Sequence, residues 1–231
     1  ENSAEELGQV MTTSSTTDFN LSIDEIVEEA FERCGMQMTA GYQLTSATRS
    51  LNLLFLDWAN RGLNLWTIEQ ATSALTKGVK EVSPGADTVN VLSAVVRQTI
   101  NGQQQDVSIS RISRSEYLNV PNKLTEARPT QYYVQRTRSP TIFLWPAADK
   151  DYTLVYYRIR RIQDAGAYTN TTDVNFRFLP CLASGLAYML SLKFAAERTQ
   201  GLKAIYEEDF LRAAEEDRDT ASVHFVPSVG Y

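Results

Sequence analysis

Residues 179–196 read LPCLASGLAYMLSLKFAA, an almost uninterrupted apolar run that predicts a helix buried on nearly every side. Pro180 falls in the first turn of this helix, where a missing N–H costs little. A transmembrane helix is the alternative, but Ser184 and Lys193 dilute a segment that is at the lower limit of spanning length. We therefore expect the central helix of a helical core, in which Gly185 lets neighbouring backbones approach closely.

Two amphipathic helices are predicted in the N-terminal part of the chain. Apolar residues recur at three- and four-residue spacing over Leu21 to Cys34 and again over roughly Gln43 to Arg61. Ser22 and Glu25 form a capping-box pattern at the first helix, and a glycine follows each helix where a left-handed residue is favoured. The short link between the helices predicts an antiparallel pair. The residues expected on the buried faces are Ile23, Ile26, Val27, Ala30, Phe31 and Cys34, then Leu44, Ala47, Leu51, Leu54, Phe55 and Trp58.

A further amphipathic helix with an acidic outer face follows the apolar one. We expect Gly201 to lie in the link between the two. Cys34 and Cys181 fall on apolar helix faces, so we expect them to pack as small hydrophobic residues rather than to form a disulfide. The residues expected on the buried face of this last helix are Leu202, Ile205, Tyr206, Phe210 and Ala213.

Between residues 65 and 162 the hydrophobic period shifts towards two, and Val, Ile, Thr and Tyr become more frequent, which predicts a β domain. Asn101 and Gly102 separate two strand-like runs and form the strongest hairpin signal, because both adopt positive φ at low cost. A short helical turn is expected around Arg114 to Leu118. The clearest strands are residues 66–75, 87–99, 106–113, 130–137, 141–146 and 152–162.

Helices at both ends of the chain with strands between them predict an α+β fold. We expect a four-helix bundle formed by both chain ends, residues 21–64 and 174–219, with an antiparallel β domain inserted at residues 65–173. Residues 1–20 are expected to form a flexible N-terminal segment, and residues 220–231 an extended C-terminal arm.

The sequence supplies little for catalysis. It contains one histidine, His224, and two distant cysteines, which excludes a His/Cys zinc cluster, a CxxC redox pair and a recognisable catalytic triad. Walker A and GxGxxG motifs are absent. Acidic runs such as Glu28-Glu29 leave a hydrolase as an alternative, although solvated helix faces explain them more simply. We therefore expect no enzyme, with no catalytic, cofactor-binding or metal-binding residues.

Charge lies in blocks along the chain. The net charge of −6 argues against a dedicated nucleic-acid-binding protein. Residues 1–37 contain nine acidic side chains and one basic, whereas residues 105–162 contain ten basic and five acidic. Tyrosines accompany the arginines of the basic block, a pattern that fits a protein interface or, alternatively, a platform for single-stranded nucleic acid or glycan. We favour the interface, formed by Arg136, Arg138, Arg158, Arg160, Arg161 and Tyr156.

Three segments carry a resemblance to a known family: SIDEIVEEAFERCGM (22–36), LNLLFLDWANRGLNLWTIEQ (51–70) and LASGLAYMLSLKFAAERTQGLKAIYEEDFLRAAEEDRD (182–219). With the β insertion between them, the arrangement resembles the head-to-tail adaptor proteins of tailed, especially short-tailed, bacteriophages. The resemblance covers about residues 21–219. It implies a structural ring, commonly dodecameric, that sits beneath the portal protein, extends the DNA channel and attaches the tail nozzle protein. Such a protein is part of the virion, is assembled in the host cytoplasm, does not contact a membrane, and lets genomic DNA pass without sequence-specific binding.

The last residues of the chain expose apolar side chains on a segment too short to bury them by itself, which indicates a partner-binding site. Because the resembled family reaches the portal with C-terminal extensions, we expect this arm to dock there. The alternative is an arm folded back on its own helices. The residues expected to dock are Val223, His224, Phe225, Val226, Pro227 and Tyr231.

Overall fold

A computed structural model describes residues 21–39, 41–62 and 65–216, and in these ranges it shows a mixed α+β fold, as predicted. The expectations for residues 1–20 and for the C-terminal arm lie outside the described residues. The α-helices are α1 (Ile23–Arg33), α2 (Gly41–Arg61), α3 (Arg114–Asn119), α4 (Leu179–Phe194) and α5 (Thr199–Glu216). The strands are β1 (Ile68–Leu75), β2 (Glu81–Val82), β3 (Thr88–Ile100), β4 (Gln103–Ser108), β5 (Ser110–Arg111), β6 (Gln131–Gln135), β7 (Thr141–Trp145) and β8 (Tyr152–Arg160).

The ends of the first two helices follow the sequence signals. The Glu25 carboxylate accepts a hydrogen bond from the Ser22 backbone N–H at 2.8 Å, as a capping box requires. This bond, together with one from the Ser22 hydroxyl, holds the pKa of Glu25 below its ordinary value. Gly35 and Gly62 have φ of 71° and 84°, a region that favours glycine, and they follow α1 and α2 directly or within two residues.

Helix α4 is the central helix of the helical region. Leu182, Leu186 and Leu190 are fully buried, and α1, α2 and α5 all pack against α4. The prediction of a buried central helix is therefore confirmed. Helices α1 and α2 touch each other, but each makes its larger contact with α4. None of the helices in the described ranges has the length and apolarity that a bilayer crossing requires.

Two expectations for the last helix were wrong. Helix α5 begins at Thr199, so Gly201 lies in its first turn and the link is the short 3-10 segment Ala196–Arg198. A Cβ at Gly201 would meet nothing within 4 Å, so nothing there requires a glycine. Ile205 is 49% exposed rather than buried, because the packed stripe of α5 follows Tyr206 and its neighbours at i±4.

The strands form two four-stranded sheets, ordered β1-β8-β3-β4 and β2-β7-β6-β5. All neighbouring strands are antiparallel except β5 and β6, which pair in parallel, so the predicted antiparallel domain is mostly but not wholly so. Asn101 and Gly102, with φ of 52° and 77°, make the predicted two-residue turn between β3 and β4. The predicted helical turn is α3, which has its own capping box at Ser113 and Glu116.

The buried apolar residues form two separate clusters. One joins the four longer helices, and the other packs side chains of the two sheets against each other. Ile162, Ala165 and Val174 pack with the helices, so the segment that returns from β8 to α4 rests on the helical cluster. The members of the sheet cluster are Leu75, Val82, Val91, Ala94, Val96, Ile109, Tyr132, Val134, Ile142, Leu144, Ala148, Tyr152, Leu154 and Tyr156.

Candidate interaction surfaces

Arg158, one of the predicted interface residues, is the centre of an ion-pair network within the chain. Its Nε donates to Glu69 Oε1 at 2.8 Å, and its Nη1 donates to Asp87 Oδ1 at 2.7 Å. The same Nη1 donates to the carbonyl of Pro84 at 2.6 Å. The side chain is only 15% exposed, so its positive charge is largely neutralised by carboxylates of the same subunit.

Arg160 is engaged in the same way at the junction between the sheets and the helices. Its guanidinium makes a two-pronged ion pair with Asp173, which also accepts from the backbone N–H of Gln163 at 3.0 Å. Burial raises the pKa of Asp173, but the hydrogen bonds from Arg160 and Gln163 outweigh it and leave this pKa below its ordinary value. The carbonyl of Asp173 accepts from Trp66 Nε1 at 3.1 Å. The network therefore joins the entry and exit of the sheet region.

Gly85 is required by this network. Its φ is 105°, and a Cβ at this position would lie 2.6 Å from Nη1 of Arg158 and 2.7 Å from Oδ1 of Asp87. A side chain here would therefore be strained by the backbone and would also displace the ion pair. The Ser83-Pro84-Gly85 turn thus holds the arginine in place as well as reversing the chain.

The tyrosines of the basic block do not form one exposed surface. Tyr132 and Tyr156 are 2% and 3% exposed and pack in the core between the sheets. Tyr133 packs against the rings of Tyr117 and Phe143, with ring centroids 5.6 and 5.9 Å away, and those two rings are 5.4 Å from each other. Tyr156 therefore does not lie at the surface of the subunit, where an interface residue was expected, and a stacking platform for bases or sugars is not favoured.

The other predicted arginines are exposed. Arg161 donates to the carbonyl of Ala86 at 3.1 Å, whereas Arg136 lines a cavity of about 330 Å³ with Arg111 and Arg114. The sequence patterns did not point to Arg111 or Arg114 as interface residues. The Ser113 capping box, which places a helix start between these two arginines, is the signal that could have indicated that they lie close together.

The three arginines of this cavity, Arg111, Arg114 and Arg136, have no carboxylate partner among the described residues. Arg111 instead donates to the carbonyl of Val91 and to Oδ1 of Asn90, each at 3.1 Å. The nearest acid in sequence, Glu116, is turned back to accept from the Ser113 N–H at 2.6 Å. We call this feature the arginine cavity.

Helix α1 presents the opposite charge. The side chains of its solvent face are Asp24, Glu25, Glu28 and Glu32, and all four are exposed. Glu29 pairs with Arg33 at 2.8 Å, whereas within the described ranges neither Glu28 nor Glu32 has a basic group within ion-pair distance. We call this feature the acidic face of α1.

Tyr206, Glu207 and Cys181, which have side chains capable of catalytic chemistry, are used in hydrogen bonds, an ion pair and packing. Tyr206 accepts from Trp58 Nε1 at 3.0 Å, and Glu207 binds both terminal nitrogens of Arg61. Cys181 is 1% exposed, and burial raises the pKa of its thiol to about 12, so it is not a thiolate nucleophile near neutral pH. In the described residues no group of three His, Cys, Asp or Glu side chains could hold a metal ion. His224 lies outside them.

The comparison with protein families agrees with the resemblance found in the sequence. The chain matches the family described as SU10 adaptor protein over residues 20–228, a range that includes the helices, both sheets and the arginine cavity. No curated protein matches it. Phage adaptors are structural proteins that associate with other components of the virion, in keeping with side chains occupied in packing and ion pairs. The chain belongs to the SU10 adaptor protein family and is a bacteriophage adaptor protein.

Proposed function

We propose that this chain forms a ring beneath the portal of a short-tailed phage, extends the DNA channel and attaches the tail nozzle. The observation that carries the proposal is the family match, which spans nearly all of the chain rather than one element. In such a ring the helices at both chain ends act as one four-helix bundle, and the two sheets project from it as a separate unit. A dodecamer is the proposed state.

A closed ring of identical subunits needs two different, complementary surfaces on each subunit. The described residues offer surfaces of opposite charge on different parts of the fold, the acidic face of α1 and the arginine cavity. The same contact can repeat from copy to copy. It closes a ring when the rotation between neighbouring subunits is a whole fraction of a full turn. The charge distribution therefore supports assembly by a head-to-tail contact around the ring.

The predicted interface arginines take two roles in this proposal. Arg136, Arg138 and Arg161 are exposed and meet a neighbouring subunit or the nozzle protein. Arg158 and Arg160 are held by carboxylates of their own chain, so they act by keeping the surface in shape. Reversing the charge of an exposed arginine should weaken assembly without unfolding the subunit.

The net charge of −6 suits a protein that surrounds moving DNA. Carboxylates repel phosphate, so an acidic lumen keeps DNA from binding to the channel wall. We therefore propose that genomic DNA passes through the ring without sequence-specific contacts.

We propose that residues 220–231 dock on the portal as an arm. Burying Phe225 and two valines contributes roughly 1.5–3 kcal/mol each before ordering costs, and a ring multiplies this weak contact by avidity. A chain that ends at Ser222 should therefore remain folded and no longer join the portal.

Electron microscopy of the purified chain mixed with its portal protein tests the proposal. The expected result is a ring added to one end of the portal by the full chain and no added ring with the chain that ends at Ser222. Circular dichroism of the shortened chain is the control for folding. A full chain that leaves the portal bare, or binds it at scattered positions without a ring, would contradict the proposed function.

A further inference from the structure

The arginine cavity differs from the other arginine-rich part of this fold. Arg158 and Arg160 are neutralised by carboxylates of their own chain at distances of 2.5–3.5 Å. The arginines of the cavity, in contrast, have no carboxylate within 4 Å among residues 21–39, 41–62 and 65–216. Three like charges around one cavity of about 330 Å³ repel one another and attract an anionic group.

Hydrogen bonds hold one arginine of the cavity in place. Arg111 is anchored by two neutral oxygens, those of Val91 and Asn90, so its position is fixed while its charge is left uncompensated. Arg136 directly follows the end of β6, and Arg114 is the first residue of α3, so regular secondary structure positions the backbone of both arginines. An arginine guanidinium binds carboxylates with several donors in a fixed plane, which makes this arrangement suited to carboxylate ligands.

The chain itself carries matching carboxylates. Glu28 and Glu32 are exposed on the acidic face of α1 and have no basic partner among the described residues. They are four residues apart on one helix, so their Cβ atoms lie about 5–6 Å from each other. Two carboxylates at this spacing can reach two different arginines of one cavity.

We propose that the arginine cavity of one subunit receives the acidic face of α1 of a second copy of this chain, with Glu28 and Glu32 opposite Arg114 and Arg136. Within the described residues the two surfaces are not paired with each other, whereas a contact between copies neutralises both. The inference rests on the proposed function, since a head-to-tail contact of this kind repeats around a ring.

Nucleic acid is the competing occupant of a basic cavity, and the structure favours it less. Tyr133 is the aromatic side chain that lines the cavity, and its ring already stacks against Tyr117 and Phe143. Tyr133 therefore belongs to an aromatic cluster within the subunit rather than to a row of exposed rings on which successive bases stack. The net charge of −6 also opposes the approach of phosphate.

Charge exchange between the two surfaces tests the proposal in the full chain. One variant carries Arg114→Glu with Arg136→Glu, a second carries Glu28→Arg with Glu32→Arg, and a third carries all four changes. Ring formation on the portal is measured by electron microscopy and sedimentation, and folding by circular dichroism. We expect each double variant to reduce the assembled fraction roughly tenfold or more, because like charges then face each other, and the fourfold variant to restore it. Lys203→Glu and Glu215→Arg, on exposed residues outside the two surfaces and outside the predicted interface arginines, are matched controls that should assemble normally.

A second measurement does not depend on charge reversal. A chain with Glu28→Cys is mixed with a chain with Arg136→Cys, and the assembled mixture is treated with a bifunctional maleimide long enough to span an arginine–glutamate pair, because the Cβ atoms of such a pair lie too far apart for a disulfide. Cross-linked dimers that contain both chains are expected, and their absence from assembled rings would overturn the proposal.

The outcomes separate this inference from the proposed function. If the wild-type chain forms rings on the portal and both double variants do so equally well, the contact is wrong and the function stands. If the wild-type chain forms no ring at all, both are wrong. If Arg114→Glu with Arg136→Glu assembles normally but loses retention of a single-stranded oligonucleotide that the wild type binds, the cavity holds phosphate and the proposal is overturned.

Discussion

Replacing Gly185 by alanine should destabilise the helical core, although alanine is the better helix former. Gly185 lies on α4, where a Cβ would be 2.8 Å from Cε2 of Tyr206 and 3.0 Å from Cδ2 of Leu54. Both neighbours are 1% exposed, and the Tyr206 hydroxyl is held by the indole of Trp58, so neither can move into open space. The added methyl must therefore push packed side chains apart.

The size of the effect follows from two opposing contributions. Exchanging glycine for alanine inside a helix stabilises by roughly 0.5–1 kcal/mol, whereas forcing an extra carbon into a packed core costs about 1–3 kcal/mol. The net expectation for Gly185→Ala is a loss of roughly 0–2.5 kcal/mol in the free energy of unfolding. Gly201→Ala is the matched control, because Gly201 is also helical but a Cβ there meets nothing within 4 Å. The helix contribution is shared, so the two variants should differ by about 1–3 kcal/mol, with Gly201→Ala the more stable.

Urea denaturation followed by far-UV circular dichroism and by tryptophan fluorescence measures both variants against the wild type. Fluorescence is informative because Trp58 is fully buried and contacts Tyr206. If Gly185→Ala proves as stable as Gly201→Ala, then close approach of α4 to its neighbours is not what requires glycine, and the reasoning fails.

Three other changes test the polar contacts. Gly85→Ala should lower the free energy of unfolding by about 1–3 kcal/mol in urea titrations, because it forces a side chain into left-handed backbone beside an ion pair; an unchanged midpoint would contradict this. Asp173→Asn should lower thermal stability at neutral pH, because the folded-state pKa of Asp173 is depressed by Arg160 and the carboxylate therefore stabilises the fold above its unfolded pKa. The difference in thermal stability between Asp173→Asn and the wild type should vanish as the pH falls through the folded-state pKa of Asp173. A difference that persists in strong acid would exclude the ion pair as its cause. Tyr206→Phe should cost about 1–3 kcal/mol by leaving the buried Trp58 N–H without its acceptor, and urea midpoints equal to those of the wild type would refute it.

Local signals predicted the helices and the hairpin turn well. The Ser22 capping box and the positive-φ turn at Asn101 depend on residues within a few positions, so the sequence is sufficient to find them. The burial of α4 was equally predictable, because a helix that is apolar on nearly every side has no solvent face. Gly201 was misplaced because a glycine near a helix start carries no conformational information of its own when its surroundings are open.

The surface could be predicted only in part. Alternation along β8 shows that Tyr156 and Tyr157 point to opposite sides, but it does not say which side faces the second sheet. Arg158 pairs with Glu69, 89 residues away in the chain, and no local pattern reveals such a partner. The arginine cavity depends on the parallel pairing of β5 with β6, which places Arg111 beside Tyr132 of β6. Arg136 directly follows the end of β6, so this pairing brings the two arginines to the same pair of strands. The hydrophobic periodicity of the sequence indicates where strands lie, but it does not show which strands pair with each other.

The neighbouring positions of β1 and β8 have a consequence for how this protein can change over evolution. Ile68 and Ile159 are partners in the antiparallel ladder, so the chain leaves the helices and returns to them at almost the same point. The strands between these two residues can be lengthened, shortened or replaced with little effect on the distance between the points where the chain leaves the helices and where it returns to them. The sheets can therefore diverge to fit different neighbours while the helices that carry them keep their packing.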